Sequence, residues 1–140
     1  MWFSKKETKT KPDGQITTKA VGDAAELVAL EHLRTAGLQL LQTNYRTPGR
    51  GGGEIDLIMK EADGTLVFIE VRHRASQSHG GAGASISAIK QKRIVFAARH
   101  YLMRYKSLPP CRFDVVLIHG GPGSSDAPAI DWLRSAFDAC

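Results

Sequence analysis

The alternation of apolar and polar positions divides the chain into seven regular segments. From about Thr18 to Ala36 the apolar residues recur at helical spacing, and Gly37 stands where a helix stops. "LQLLQTNYRT" (38–47) reads as a strand running into the glycine-rich loop "PGRGGG". "GGGEIDLIMKEADGTLVFIEVRHR" (51–74) alternates with a period of two on both sides of a short turn, which predicts a hairpin. "ASQSHGGAGAS" (75–85) is a flexible loop ending on Ser85, a suitable N-cap for a second helix over roughly 86–106 that "LPP" terminates. "CRFDVVLIHG" (111–120) is continuously apolar after Asp114, the mark of a strand covered on both faces. After the loop "GPGSSDAP", "AIDWL" predicts a short edge strand and the remaining residues a helical turn. The order α-β-β-β-α-β-β predicts an α/β fold with a central mixed β-sheet flanked by helices. Residues 1–17, polar and rich in Lys and Thr, read as a disordered basic arm, and 18–140 as a single domain.

Register decides what the hairpin places together. In its first strand Glu54, Asp56 and Ile58 share a face; in its second, Leu66, Phe68, Glu70 and Arg72 do. "ADG" (62–64) suits a three-residue loop whose last position adopts the left-handed conformation that Gly64 allows. That loop closes Glu61 against Thr65 and sets Asp56 opposite Glu70, and Glu54 opposite Arg72. A two-residue Asp-Gly turn would slip the register by one and separate the acids. Carboxylates facing each other across a strand pair sit about 4.5–5.5 Å apart at Cβ and repel. Two readings remain open: a ladder of surface ion pairs neutralised by Arg72 and its neighbours, or a pair of oxygen donors for a hard divalent cation. Ile58, Leu66 and Phe68 on the same face favour the second. On the first helix Glu26 falls within an imperfect apolar stripe with Ala29, Leu30 and Leu33. It reads either as a rim residue or as a third acid of the cluster.

Charge and cysteine content narrow the function classes. Nineteen Lys and Arg against fourteen Asp and Glu give a net charge of +5, with a sequence pI near 9.4. That suits a polyanionic partner and equally a basic surface kept for solubility. The two cysteines, Cys111 and Cys140, have neither zinc-site nor disulfide-framework spacing, which fits a reduced, cytoplasmic setting. The amino end lacks the apolar segment of a signal peptide, and no run of about 18 apolar residues predicts a membrane span.

"GEIDLI", a short turn and "VFIEVRHR" resemble the D–(E/D)-x-K core of the PD-(D/E)XK nuclease superfamily. Five segments in order, "GDAAE", "GGGEIDLI", "FIEVRHR", "ISAIKQKRI" and "CRFDVV", resemble more closely the YraN family of uncharacterised bacterial proteins, to which an endonuclease role is ascribed. That family is similar to archaeal Holliday junction resolvases. The likeness runs over roughly residues 19–135. It implies a restriction-endonuclease-like core and Mg²⁺ or Mn²⁺ held by Asp56, Glu70 and the backbone carbonyl of Val71. It also implies support from Glu26 and hydrolysis of phosphodiester bonds in branched or otherwise structured DNA, with a homodimer as the analogous assembly. One position departs: Arg72 occupies the place of the superfamily lysine. Arginine does not give up its proton, so Arg72 would stabilise charge without acting as a base. A non-catalytic nucleic-acid-binding module is therefore the alternative expectation.

The remaining cations form candidate phosphate contacts. Arg50 and Arg46 lie in or beside the glycine-rich loop, Arg74 ends the hairpin, and Lys90, Lys92 and Arg93 open the second helix. Lys90, on the apolar side near the helix start, would either approach the acidic pair from another element or stand at the surface. "GRGGGE" is not followed by G-K-[ST], so it is no P-loop. The histidines show no metal spacing. Asp114 reads either as a partner of Arg112 or as a neighbour of the acidic cluster.

Overall fold

Gly37 ends the first helix, α1 (Thr18–Thr35), with a backbone φ of 104°, a conformation that side chains bearing a Cβ resist. The Gly37 N–H donates to the Arg34 carbonyl at 2.9 Å and the Leu38 N–H to the Leu33 carbonyl at 3.0 Å. Leu33 and Leu38 are both buried in one core, so this Schellman ending also fixes where the next strand begins. A computed structural model describes residues 18–74, 86–120, 127 and 129–138. The basic arm (1–17), the loop 75–85 with its expected Ser85 cap, and most of "GPGSSDAP" lie outside the described residues.

Five strands follow, β1 (Gln39–Arg46), β2 (Glu54–Lys60), β3 (Leu66–Arg74), β4 (Cys111–His119) and β5 (Ala129–Phe137), with helix α2 (Ala88–Leu102) between β3 and β4. They form one sheet in sequence order; β3 and β4 run parallel and every other neighbouring pair antiparallel. A parallel pair requires a crossover, and α2 supplies it. The expected α/β arrangement, a mixed sheet flanked by helices, is the one observed.

The helices cover opposite faces. Ala25, Ala29, Leu30 and Leu33 of α1 pack on Leu57, Met59, Val67, Ile69, Val116 and Ile118. Ile94, Ala97, Ala98 and Tyr101 of α2 pack on Ile58, Leu66, Phe68, Phe113, Val115 and Leu117. Strand alternation sends odd and even positions of β3 and β4 into different cores, and that accounts for their continuous apolar character.

The hairpin turn is the three-residue one. The Glu61 N–H donates to the Thr65 carbonyl at 2.9 Å, Gly64 has φ 95°, and Asp63 Oδ1 accepts from the Thr65 N–H at 2.9 Å. The β2–β3 ladder runs from Lys60 opposite Leu66 to Leu57 opposite Ile69 and ends there. That register is the expected one, and beyond the ladder Glu54 pairs with Arg93 of α2, at 3.6 Å.

Two element boundaries differ from expectation. Helix α2 is capped by Ser87, whose hydroxyl accepts from the Lys90 N–H at 3.1 Å, and it ends at Leu102, well before "LPP". The Met103 N–H turns back to the His100 carbonyl at 3.2 Å, and Arg104 Nε donates to the Tyr101 carbonyl at 3.1 Å while its guanidinium lies over the Tyr101 ring. These contacts satisfy the last carbonyls without another turn of helix. Strand β5 continues through the expected helical turn to Phe137. The cause is Asp114, fully buried, which accepts from Trp132 Nε1 at 2.8 Å, from the Ser135 N–H at 2.9 Å and from Arg112 Nε at 3.0 Å. Ser135 takes a φ of 51° to reach it, and Phe137 then stacks on Phe113 with ring centroids 5.0 Å apart. Asp114 thus has the structural role, tying β5 to β4.

The glycine-rich loop is shaped by contact. A Cβ on Gly53 would lie 1.9 Å from the Arg93 carbonyl oxygen, so the start of β2 touches the backbone of α2 directly. Thr47 closes the loop: its Oγ1 accepts from the Gly53 N–H at 2.7 Å, and its own N–H donates to the Gly53 carbonyl at 3.0 Å.

Candidate functional site

The site lies where the β2–β3 ladder stops. One more pair of ladder bonds would have the Val71 N–H donate to the main chain of β2. It donates instead to Asp56 Oδ2, at 2.8 Å. Asp56 thereby stands in for a backbone acceptor, and its carboxyl is held beside Glu70. Leu66 and Phe68, on the same face of β3, form the apolar floor. Glu70 is 8% exposed. Its Oε1 is buried and has no hydrogen-bond partner, while Oε2 lies 3.6 Å from Lys90 Nζ of α2.

Two acids in so little water cannot both ionise easily. Burial, and then the neighbouring Asp56 charge, push the Glu70 carboxyl up to about 8; the Lys90 ammonium opposes the shift without cancelling it. Burial raises Asp56 as well, against the lowering effect of the Val71 N–H. Near neutral pH the pair therefore tends to hold a proton, on the Glu70 side.

A cleft of about 600 Å³ opens beside this pair, lined by Glu70, Val71, Arg72, His73, Arg74, Ser87 and Lys90. Carboxyl oxygens form one end, and cations from β3 and the first turn of α2 form the walls. Such a surface suits a ligand that is itself anionic and reaches the carboxylates through a cation.

A family model described as "Uncharacterised protein family UPF0102" matches residues 25–118, a span holding every side chain of the acidic pair and its cleft. The chain belongs to the UPF0102 family. It is similar to the UPF0102 protein of Polaromonas naphthalenivorans, at 60% identity over 99% of each chain. It is also similar to that of Albidiferax ferrireducens, at 65% identity over 89% of this chain and 91% of the relative. The UPF0102 protein of Cupriavidus pinatubonensis is 50% identical over 91% of this chain and 92% of the relative. This is the YraN-like family that the sequence motifs resemble.

In this UPF0102 chain the residues singled out from sequence divide into three groups. Glu70, Val71, Arg72, Arg74 and Lys90 line the cleft, and Asp56 adjoins it through its bond to the Val71 N–H. Glu26 belongs to α1, whose buried residues pack on the face of the sheet that carries Leu57, Val67 and Ile69. Among the described residues no cluster of three or more His, Cys, Asp or Glu side chains is arranged to hold a metal ion. Arg50, Lys92 and Arg93 stand apart, exposed; Arg93 Nε donates to the Gly52 carbonyl at 3.4 Å besides meeting Glu54. Sequence reading overlooked Ser87, which caps α2 and lines the cleft, and gave His73 no role, although its Nε2 bonds the Gly120 carbonyl at 2.7 Å. Ser87 carries the same N-cap signal that pointed to Ser85, two residues too early, while the His73 contact depends on the pairing of β3 with β4. Among the described residues no helix is long and apolar enough to cross a membrane.

Proposed function

We propose that the chain is a nucleic-acid-binding protein with a restriction-endonuclease-like (PD-(D/E)XK) core that hydrolyses phosphodiester bonds in DNA with Mg²⁺ or Mn²⁺. The observation that carries this reading is the meeting of half-buried Asp56 with buried Glu70 at the end of a cationic cleft. The donor set fits a hard divalent ion. Glu70 Oε1 is buried without a partner, and the two carboxyls repel in a way that a dication relieves. Mg²⁺ accepts one or two carboxylates and completes its shell with water and phosphate oxygens. Asp56, Glu70 and the Val71 carbonyl would hold it. When bound, the ion would lower the pKa of a coordinated water and stabilise charge on the scissile phosphate.

The chain's own side chains divide the remaining work. Arg72 and Arg74 line the cleft and would offer paired N–H groups to phosphate oxygens. Lys90 reaches the site from α2, with Nζ 3.6 Å from Glu70 Oε2, and adds a cation beside the acids. It would stand in for the superfamily lysine whose place Arg72 occupies.

Titration calorimetry with Mn²⁺, paired with cleavage of branched and single-stranded DNA, tests the reading. Saturable Mn²⁺ uptake is expected in the wild type and lost in Glu70→Gln. Cleavage is expected to be lost in Asp56→Asn, and lost in Lys90→Ala with Mn²⁺ uptake kept. If wild type and Asp56→Asn leave the same background of cut DNA, hydrolysis is refuted. DNA binding without cation uptake would then make the protein a non-catalytic module, the reading that Arg72 at the lysine position favours.

A further inference from the structure

Helix α2 has an outer face that the cleft does not use. Ile89, Phe96 and Met103 are 74%, 53% and 79% exposed, and their seven-residue spacing aligns them in one stripe. Lys92 and Arg99 repeat the same spacing beside it. A groove of about 430 Å³ runs along this face, lined by Lys92, Val95, Phe96, Arg99 and, from the end of β5, Asp138.

The composition of the helix selects the occupant. Over Ala88–Leu102 it carries Lys90, Lys92, Arg93 and Arg99 and no acidic residue. A partner laid along it must be predominantly anionic. An exposed phenyl ring among cations suits an anionic polymer that also presents flat apolar faces, and a nucleic acid strand with unpaired bases meets both conditions. Continuous duplex meets only the first, because its bases are stacked on one another. Phe96 stands six residues beyond Lys90, an axial rise of about 9 Å and about 120° around the helix, so a strand that wraps along α2 can reach the acidic cleft.

We infer that the outer face of α2 binds an unpaired stretch of nucleic acid, with Phe96 stacking on a base and Lys92 and Arg99 beside the flanking phosphates. The inference rests on the nucleic-acid reading of the cleft and adds its substrate class: strands with unpaired bases next to the cleavage point, in preference to uninterrupted duplex.

The test is fluorescence anisotropy of the full chain with a labelled oligothymidylate and a labelled blunt duplex, in EDTA so that nothing is cut. Phe96→Ala is expected to weaken oligothymidylate binding about 5- to 150-fold and to leave duplex binding unchanged. In Phe96→Trp the added indole emission is expected to be quenched by the oligothymidylate and not by the duplex. Equal losses on both DNAs, or no loss on either, would overturn the inference and leave the cleft reading standing. So would sedimentation showing that Phe96→Ala only breaks up a self-associated form. A wild type that binds neither DNA would overturn both.

Discussion

The acidic pair makes stability fall as pH rises, and Glu70→Gln isolates the effect. In the folded chain the Glu70 carboxyl is pushed from an ordinary 4.5 up to about 8. Below 4.5 it is protonated in both folded and unfolded chains and contributes no pH dependence. Between 4.5 and about 8 the unfolded chain releases the proton while the folded chain keeps it, so each step up in pH favours unfolding. Above about 8 both forms are ionised and the loss is complete. At about 1.36 kcal/mol per pH unit, the interval amounts to roughly 4–5 kcal/mol as a ceiling. Asp56, raised by burial, adds to the same trend. The size matters because a domain of this kind is stable by only about 5–15 kcal/mol in all.

Glutamine keeps the shape and removes the charge. Urea denaturation in EDTA, from about pH 5 to pH 9, is expected to show a wild type losing stability across the range and a Glu70→Gln variant losing much less. The curves meet near the acid end, and the variant is the more stable by several kcal/mol near pH 9. Mn²⁺ at a hundredfold over its dissociation constant is expected to restore about 2.7 kcal/mol to the wild type at alkaline pH and nothing to the variant. A wild-type stability that is flat or rising between pH 5 and 8, or an identical slope in Glu70→Gln, would refute the burial of the Glu70 carboxyl beside Asp56 on which the metal reading is built.

Two further substitutions probe the frame around the site. Gly53→Ala drives a Cβ to 1.9 Å from the Arg93 carbonyl, a backbone atom that yields only if α2 lifts from the sheet. A loss of about 1–3 kcal/mol in denaturation is expected, together with weakened cleavage as Lys90 is displaced; an unchanged midpoint would contradict the seating of α2. Asp114→Ala leaves Arg112 paired with Glu61 at 2.7 Å but strands the Trp132 indole N–H and the Ser135 N–H, with an expected cost of about 1–3 kcal/mol and a red-shifted tryptophan emission as β5 loosens. A loss below about 1 kcal/mol would show that β5 is held by other contacts.

Local chemistry made part of this legible. The tripeptide Ala62-Asp63-Gly64 determines the turn, the turn determines the register, and the register brings Asp56 beside Glu70. Gly37 marks the end of α1 because its φ of 104° suits no other residue as well. What stayed hidden depends on distant partners. The periodicity of α1 shows which residues share a stripe with Glu26, but not which face of the sheet the stripe covers. "RSAF" has no strand signal, and it becomes strand because a carboxylate 21 residues earlier accepts the Ser135 N–H. The early break in the ladder likewise follows from a side chain taking the place of a backbone acceptor. Lys90 could be placed at the site only once α2 was known to cover the face that bears Glu70.

Asp56 has two roles, and separating them decides which variants are informative. Its Oδ2 accepts the Val71 N–H, so its removal breaks a main-chain tie between β2 and β3 as well as emptying the acidic pair. Asp56→Ala would therefore abolish activity whether or not the residue does chemistry, because a buried N–H left unsatisfied costs about 1–3 kcal/mol and frees β3 beside Arg72. Asp56→Asn retains an oxygen for that N–H and removes only the charge. A folded Asp56→Asn protein that binds DNA without cutting it would mean that the carboxylate acts in the chemistry. Normal cutting by the same variant would reduce Asp56 to a strand clip, and the site would lose half of its proposed metal grip.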